Sequence, residues 1–447
     1  MPHADLLNLL SDLITDARKS GADAADALVV DGTSVSVTSR LGKLEQLERS
    51  EGGDIGLRVL IGKRQAIVSS ADRSKEALKE LVERAVAMAR TVPEDPFCGI
   101  AEPGQLATNL PALDICDPAE ISAETLIERA QVCEAAARDV KGVTNSEGAS
   151  AAWGKSQVAI AASNGFARAY ESSGSSMSVS VIAGDSDHGM ETDYDYTTAV
   201  YFADMKGPAE VGLNAGTRAV RKLGGRKVSS RKVPVIFDAR VARGLVSHFL
   251  GAISGSSIAR GTSFLKDAMG TEVFAPGINI FEDPHRNRGL RSKPCDGEGL
   301  ANKPSALIDK GVLTTWILNL SSARQLKLAP TGHATRGTGS PPGSGTTNVW
   351  LEAGSVTPAA LMSDIKDGLF VTDLVGQGVN GVTGDYSRGA VGFWIENGVL
   401  TYPVHEITIA GNLKDMFKRV TPANDLELRY GIDAPTVRID GLTLAGT

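Results

Sequence analysis

Runs in which apolar and polar residues alternate, closed by turns built on glycine, recur along this chain and exclude an all-helical fold. Met177, Val179 and Val181 alternate with serines, the period of a half-buried strand. Asn164-Gly165 separates two further strand-like runs, 158–162 and 167–170, and this dipeptide supplies the backbone angles that a tight hairpin needs. Ile308-Asp-Lys-Gly-Val-Leu313 and Ile395-Glu-Asn-Gly-Val-Leu400 are two copies of one hairpin pattern. Glycine makes up 49 of the 447 residues, about 11% against the usual ~7%, in keeping with many tight turns.

Helical spacing is confined to a few segments. Leu6, Leu7, Leu10, Leu13, Ile14 and Ala17 recur at three- and four-residue steps, and Gly21 supplies a stop. Ser74 is placed to cap a helix carrying Leu78, Leu81, Val82, Ala85 and Met88, which ends before Pro93. A third helix over 123–140 puts Leu126, Ala130, Cys133 and Ala137 on one stripe, which makes Cys133 a core residue. Strands are expected over 27–37 and 55–69, the second turning at Gly62-Lys63, and 94–117 reads as a loop. Seven basic and no acidic residues fall between Arg218 and Lys232, without an aromatic. This run reads as a solvated helix end entering an interdomain linker at Gly224-Gly225, in preference to a DNA-binding arm. Val233–Phe237 then opens a second domain, and the Gly/Pro-rich stretch 337–345 is expected to be a mobile surface loop.

Residue chemistry alone names no reaction. The net charge is −7, no apolar run approaches the length of a membrane span, and the start lacks a basic signal region. Cys98, Cys116, Cys133 and Cys295 form no CxxC pair, so a reduced, cytoplasmic protein is expected. The histidines His3, His188, His248, His285, His333 and His405 are isolated, and neither HExxH, GxSxG nor a phosphate loop occurs. His405-Glu406 lies in a strand-like setting and reads as a solvent or interface histidine. His248 falls on an expected helix, 241–253, and Asp283, Asp296 and Glu298 read as caps or turn locks.

Longer strings carry a resemblance. Ser263-Phe-Leu-Lys-Asp267, Phe281-Glu-Asp-Pro-His285, Asp296-Gly-Glu-Gly299, Ala323-Arg-Gln-Leu326, Gly376–Ala390, Gly392-Phe-Trp-Ile-Glu-Asn-Gly398 and Ile409–Met416 resemble the TldD/PmbA peptidase-related family, and within it the PmbA (TldE) branch. The resemblance implies an α+β fold. An N-terminal sheet-plus-helices domain, 1–225, would precede a β-rich, barrel-like C-terminal domain, 226–447. It also implies a cytoplasmic heterodimer with a TldD-like catalytic subunit, a zinc metallopeptidase acting on unfolded peptides. The older family label, modulator of DNA gyrase, does not by itself indicate nucleic-acid binding.

The family's zinc motif, HExxxH on a helix before an RGTS-like string, does not carry over. Anchored on Arg260-Gly-Thr-Ser263, its window falls on Val246–Gly251, with Val246 and Gly251 at the imidazole positions and Ser247 at the general base. Starting from His248 instead leaves Phe249 and Ile253. No catalytic or metal residue is therefore expected in this chain, and zinc is expected in the partner. Candidates for a peptide channel or an interface are His248, Gly376, Gly378, Asn380, Asp385, Tyr386 and Arg388. The glycines suit close backbone approach or tight turns, and Asp385 and Arg388 are candidates for a local ion pair. Two other readings stay open: a stand-alone peptidase using His248 or His333, and a non-enzymatic binding protein acting as a homodimer.

Overall fold

A computed structural model describes every residue except Met1, His188 and Thr447. Its first half is built on one antiparallel sheet of β1 (Ala24–Arg40), β2 (Lys43–Ile61), β3 (Arg64–Ser70), β4 (Val143–Ala162), β5 (Ala167–Asp185) and β6 (Gly189–Ala199), ordered β3-β2-β1-β4-β5-β6. Helices α1 (His3–Lys19), α2 (Lys75–Thr91), α3 (Ala123–Arg138) and α4 (Pro208–Arg221) pack on it in two pairs. Side chains alternate across a strand, so Ala25, Ala27 and Val29 share a face with Val35 and Val37. The first three pack against α1 and α2, the last two against α3 and α4. Ser74 Oγ accepts from the Ala77 amide at 3.3 Å and Ser122 Oγ from that of Thr125 at 3.2 Å, starting α2 and α3. A Cβ on Gly212 in α4 would lie 2.2 Å from the Cys133 carbonyl oxygen, so these helices meet only because that residue is glycine. Cys133 is fully buried, as its helical stripe predicts.

The second half opens with β7 (Arg231–Phe237) and α5 (Ala239–Ala252), followed by the long strands β8 (Asp367–Val375), β9 (Asp385–Glu396), β10 (Val399–Asn412) and β11 (Val437–Ala445). β7 pairs parallel with β8 and antiparallel with β11, and β10 pairs back onto β11, closing a five-stranded barrel. Val235, Phe237, Leu369, Val371 and Ile409 share one apolar cluster with Leu245, Val246 and Phe249 of α5. The protein is thus α+β, with the barrel in its C-terminal half. The two copies of the hairpin pattern adopt the same turn: Lys310 and Gly311 have φ 49° and 91°, Asn397 and Gly398 have 49° and 81°. They sit in different sheets, the second within the barrel.

Three expectations are corrected. The runs 167–170 and 177–181 are one strand, β5, and the charged segment 43–54 is part of β2. Alternation fades there because 43–54 is largely exposed and the middle of β5 meets polar neighbours, Ser173 Oγ accepting from the Asp117 amide at 2.7 Å and donating to the Val200 carbonyl at 3.0 Å. The loop 337–345 is no free surface loop. It is half-buried against β2, where a Cβ on Gly56 would lie 2.1 Å from the Thr338 carbonyl oxygen, and Arg336 beside it pairs with buried Asp26, itself bonded to Arg58.

The basic run 218–232 is largely solvated, as expected: Arg221, Arg226, Lys227, Arg231 and Lys232 are exposed, and the exception is Lys222. Lys222 is only 6% exposed, and its Nζ sits 2.7 Å from both Asp193 of β6 and Asp373 of β8, while Arg240 of α5 closes the ring at 2.9 and 2.6 Å to the same carboxylates. Arg221, Arg226 and Arg231 lie over the rings of Phe393, Tyr402 and Trp394. Lys222 and Arg221, at the end of α4, therefore fasten the first half to the barrel.

Candidate functional site

Helix α5 carries the site. Asp238 caps it, accepting from the Arg240 amide at 2.9 Å, and the helical period then divides its residues between two faces. Leu245, Val246 and Phe249 enter the core, where Phe249 meets Phe274 and Phe417 edge-on. Arg240, Arg243, Gly244 and Ser247 face outward and line an open cleft of about 420 Å³ with Asp373 and Leu374 at the end of β8, Arg388 of β9, and Arg291 and Tyr430 from loops.

Three of the seven candidates converge beside this cleft. The His248 ring stands edge-on to Tyr386, 6.1 Å between centroids. Burial, and then the positive charge of Arg388, hold the imidazole below its ordinary pKa. Tyr386 is 1% exposed, its hydroxyl has no hydrogen-bond partner among the described residues, and burial pushes its phenol up. Arg388 donates to the carbonyls of Val375 and Leu374 at 3.3 and 3.4 Å.

The other four candidates build the neighbouring loop. Asn380 Oδ1 accepts from the amides of Val382 and Thr383, locking a turn, and Gly376 has φ 83°. A Cβ on Gly378 would lie 1.8 Å from the Ser387 carbonyl oxygen, so the backbone brought close by this glycine is the chain's own strand β9. Asp385 accepts from Thr383 and Asn412, not from Arg388: three residues apart on one strand, the two side chains leave opposite faces. The local ion pair does not form.

The donor set does not fit a zinc ion. Val246 is buried, while Ser247 and Gly251 face solvent without a nitrogen or carboxylate to offer. Among the described residues, no three His, Cys, Asp or Glu side chains converge on one point. His333 is engaged by Glu282 at 2.6 Å and Thr331 at 2.8 Å, and His285 by Asn302 at 2.8 Å. The His405 ring packs against the backbone of Gly225 within this chain, and His188 lies outside the described residues. Burial lifts the Cys295 thiol to about 12, with Asp296 adding to it. Asp296 accepts from the amides of Glu298 and Leu300, locking its turn, and from that of Ala334, and Glu298 accepts from the Leu320 amide at a helix start, so one locks a turn and the other caps a helix, as expected of them.

Sequence reasoning missed Arg240, Arg243 and Arg291. The first two stand at helical spacing with Gly244 and Ser247, a polar stripe legible in principle. Arg291, in a turn, gives no such signal.

The whole chain has relatives. Models of the PmbA/TldA metallopeptidase match it as domain 1 over residues 25–89, central domain over 116–223 and C-terminal domain over 230–446. It is 40% identical over 428 residues to the metalloprotease PmbA of Escherichia coli O157:H7, covering 95% of this chain and 93% of that one. To the metalloprotease PmbA homolog of Haemophilus influenzae it is 37% identical over 446 residues, 99% and 96% of the two chains. A solved chain from Bacteroides thetaiotaomicron superposes with a TM-score of 0.91 at 25% identity over 98% of each. TldE from Thermococcus kodakarensis shares the fold, with a TM-score of 0.86 at 20% identity over 98% of this chain and 100% of that one. No helix among the described residues is long and apolar enough to cross a membrane. This chain belongs to the PmbA/TldD metallopeptidase family.

Proposed function

We propose that the chain is the non-catalytic partner in a TldD/TldE-type zinc peptidase, cytoplasmic, which degrades or processes unfolded peptides. The observation that carries this reading is α5: the helix on which the resemblance sets the family's zinc motif packs on the barrel but presents Val246, Ser247 and Gly251. A metal held by one imidazole would neither bind firmly nor polarise a peptide carbonyl, so the hydrolytic zinc belongs to a TldD-like subunit with an intact HExxxH. The role left to this chain is to shape and charge the chamber in which an unfolded peptide lies. Nucleic acid is a poor ligand for it, since Arg218, Lys222, Lys227 and Arg231 of the basic run already pair with carboxylates of this chain and the net charge is −7.

The test is reconstitution. An unstructured fluorogenic peptide is incubated with the purified chain, with a TldD-like partner, and with both, and light scattering follows assembly. The expected result is a heterodimer with chelator-sensitive cleavage, and no cleavage by this chain alone, whether or not it self-associates. Chelator-sensitive cleavage by this chain alone would overturn the reading.

A further inference from the structure

The cleft on α5 concentrates positive charge in a chain that is acidic overall. Four arginines line it, with Asp373 as their one carboxylate, and Asp373 is already neutralised by Arg240 and Lys222. Arg243, Arg291 and Arg388 form no ion pair among the described residues. Arg243 lies over the Tyr430 ring at 4.9 Å, Arg388 reaches only two backbone carbonyls, and the Arg291 stem packs on Gly431 with the residue exposed. Three guanidinium groups opening onto one cleft without a carboxylate partner of their own leave it positively charged, which favours an anion there. Two residues before Arg388 on the same face of β9, the Tyr386 hydroxyl is buried in the core without a partner among the described residues, behind the cleft wall rather than in it. Gly244 leaves the helix surface bare, with nothing within 4 Å of where its Cβ would stand, so an extended chain can lie against it.

We infer that this cleft is a carboxylate-binding subsite for peptides, gripping acidic side chains or the C-terminal carboxylate of an unfolded chain through Arg243, Arg291 and Arg388. The inference rests on the peptidase-partner reading and adds to it a class of preferred substrate. Guanidinium forks match carboxylates two hydrogen bonds at a time. A nucleic acid would use aromatic faces for stacking, and here those of Tyr430 and Tyr194 are covered by Arg243 and Arg240.

The experiment is fluorescence anisotropy with the full chain and short labelled unstructured peptides. One is Glu-containing with an amidated C-terminus, one its amidated Gln counterpart, and one that Gln peptide with a free C-terminus. At least one carboxylate peptide is expected to bind about tenfold or more tighter than the amidated Gln peptide, and which one does so identifies the source of the carboxylate. Arg291→Gln, at an exposed position, is expected to remove that advantage by about tenfold with unchanged thermal unfolding, and Arg291→Lys to restore part of it. Arg243→Gln should act in the same direction. Equal binding of all three peptides, no effect of Arg291→Gln and Arg243→Gln, or tighter binding of a single-stranded oligonucleotide that displaces the peptides would each overturn the inference. Failure here with intact reconstituted cleavage sinks the subsite alone; failure of reconstitution with charge-selective binding sinks only the partner assignment.

Discussion

Replacing Lys222 with methionine tests whether the ion ring joins the two halves. Methionine keeps most of the stem's apolar packing and deletes the ammonium, which lies 2.7 Å from both Asp193 and Asp373. The Asp193 side chain is 1% exposed and that of Asp373 is 22% exposed, so water cannot fully replace the lost cation. Breaking a buried pair from one side costs about 3–5 kcal/mol; the lower end applies here because Arg240 still contacts both carboxylates. About 3 kcal/mol is roughly two orders of magnitude in the folding constant. Urea unfolding followed by tryptophan fluorescence reads it. Adding Asp373→Asn removes the surplus anion, so Lys222→Met with Asp373→Asn should be at least ~1 kcal/mol less damaging than the sum of the single substitutions. The pH dependence has a definite sign. Burial opposes ionisation of Asp373, but Arg240 and Lys222 outweigh it and hold its carboxyl below the usual carboxylate range. A depressed carboxylate stabilises the fold above its unfolded pKa, near 4, and that contribution is lost as the pH falls through the folded value. The gap between parent and Asp373→Asn should therefore close in acid. A Lys222→Met protein within about 0.5 kcal/mol of the parent, or strict additivity in the pair, would refute the ring as a fastening.

Three further outcomes follow from the same geometry. The imidazole of His248 should titrate below its ordinary value in an NMR pH series and move upward in Arg388→Gln, since a like charge has been removed; a pKa at or above the ordinary value would contradict its placement. Burial lifts the thiols of Cys133 and Cys295 to about 12, so iodoacetamide at neutral pH should leave both unmodified in the native protein and label them after unfolding. Gly378→Val should disrupt the 376–384 loop by collision with the Ser387 carbonyl, seen as faster amide exchange there with the barrel strands still protected.

Helices and hairpins were legible wherever one neighbour imposed one period. α1 to α3 show their apolar stripes and stops, and Asn397-Gly398 and Lys310-Gly311 carry the turn chemistry of their hairpins. Legibility failed where the determining contact is distant in sequence. The serine-rich middle of β5 meets backbone groups of Asp117 and Val200, brought to Ser173 from distant parts of the chain, so nothing in its own composition marks it as strand. Lys222 and Arg240 look like surface cations until Asp193 and Asp373 are brought to them by two different strands. The loop 337–345 reads as free because its docking surface is Gly56, far away in sequence. Within the site, the aromatic and cationic residues of β9 came to the helix as a candidate set, whereas the glycines and Asn380 turned out to shape the loop. Arg291 enters the cleft from a turn, and only the fold reveals it.

The zinc content of the purified chain, measured by atomic emission before and after assembly with a HExxxH-bearing partner, bears most directly on the absence of a donor set on α5. The expected outcome is no stoichiometric zinc on this chain and one ion acquired with the partner. Zinc held in a one-to-one ratio by the isolated chain, lost together with peptide cleavage on treatment with a chelator, would contradict the account.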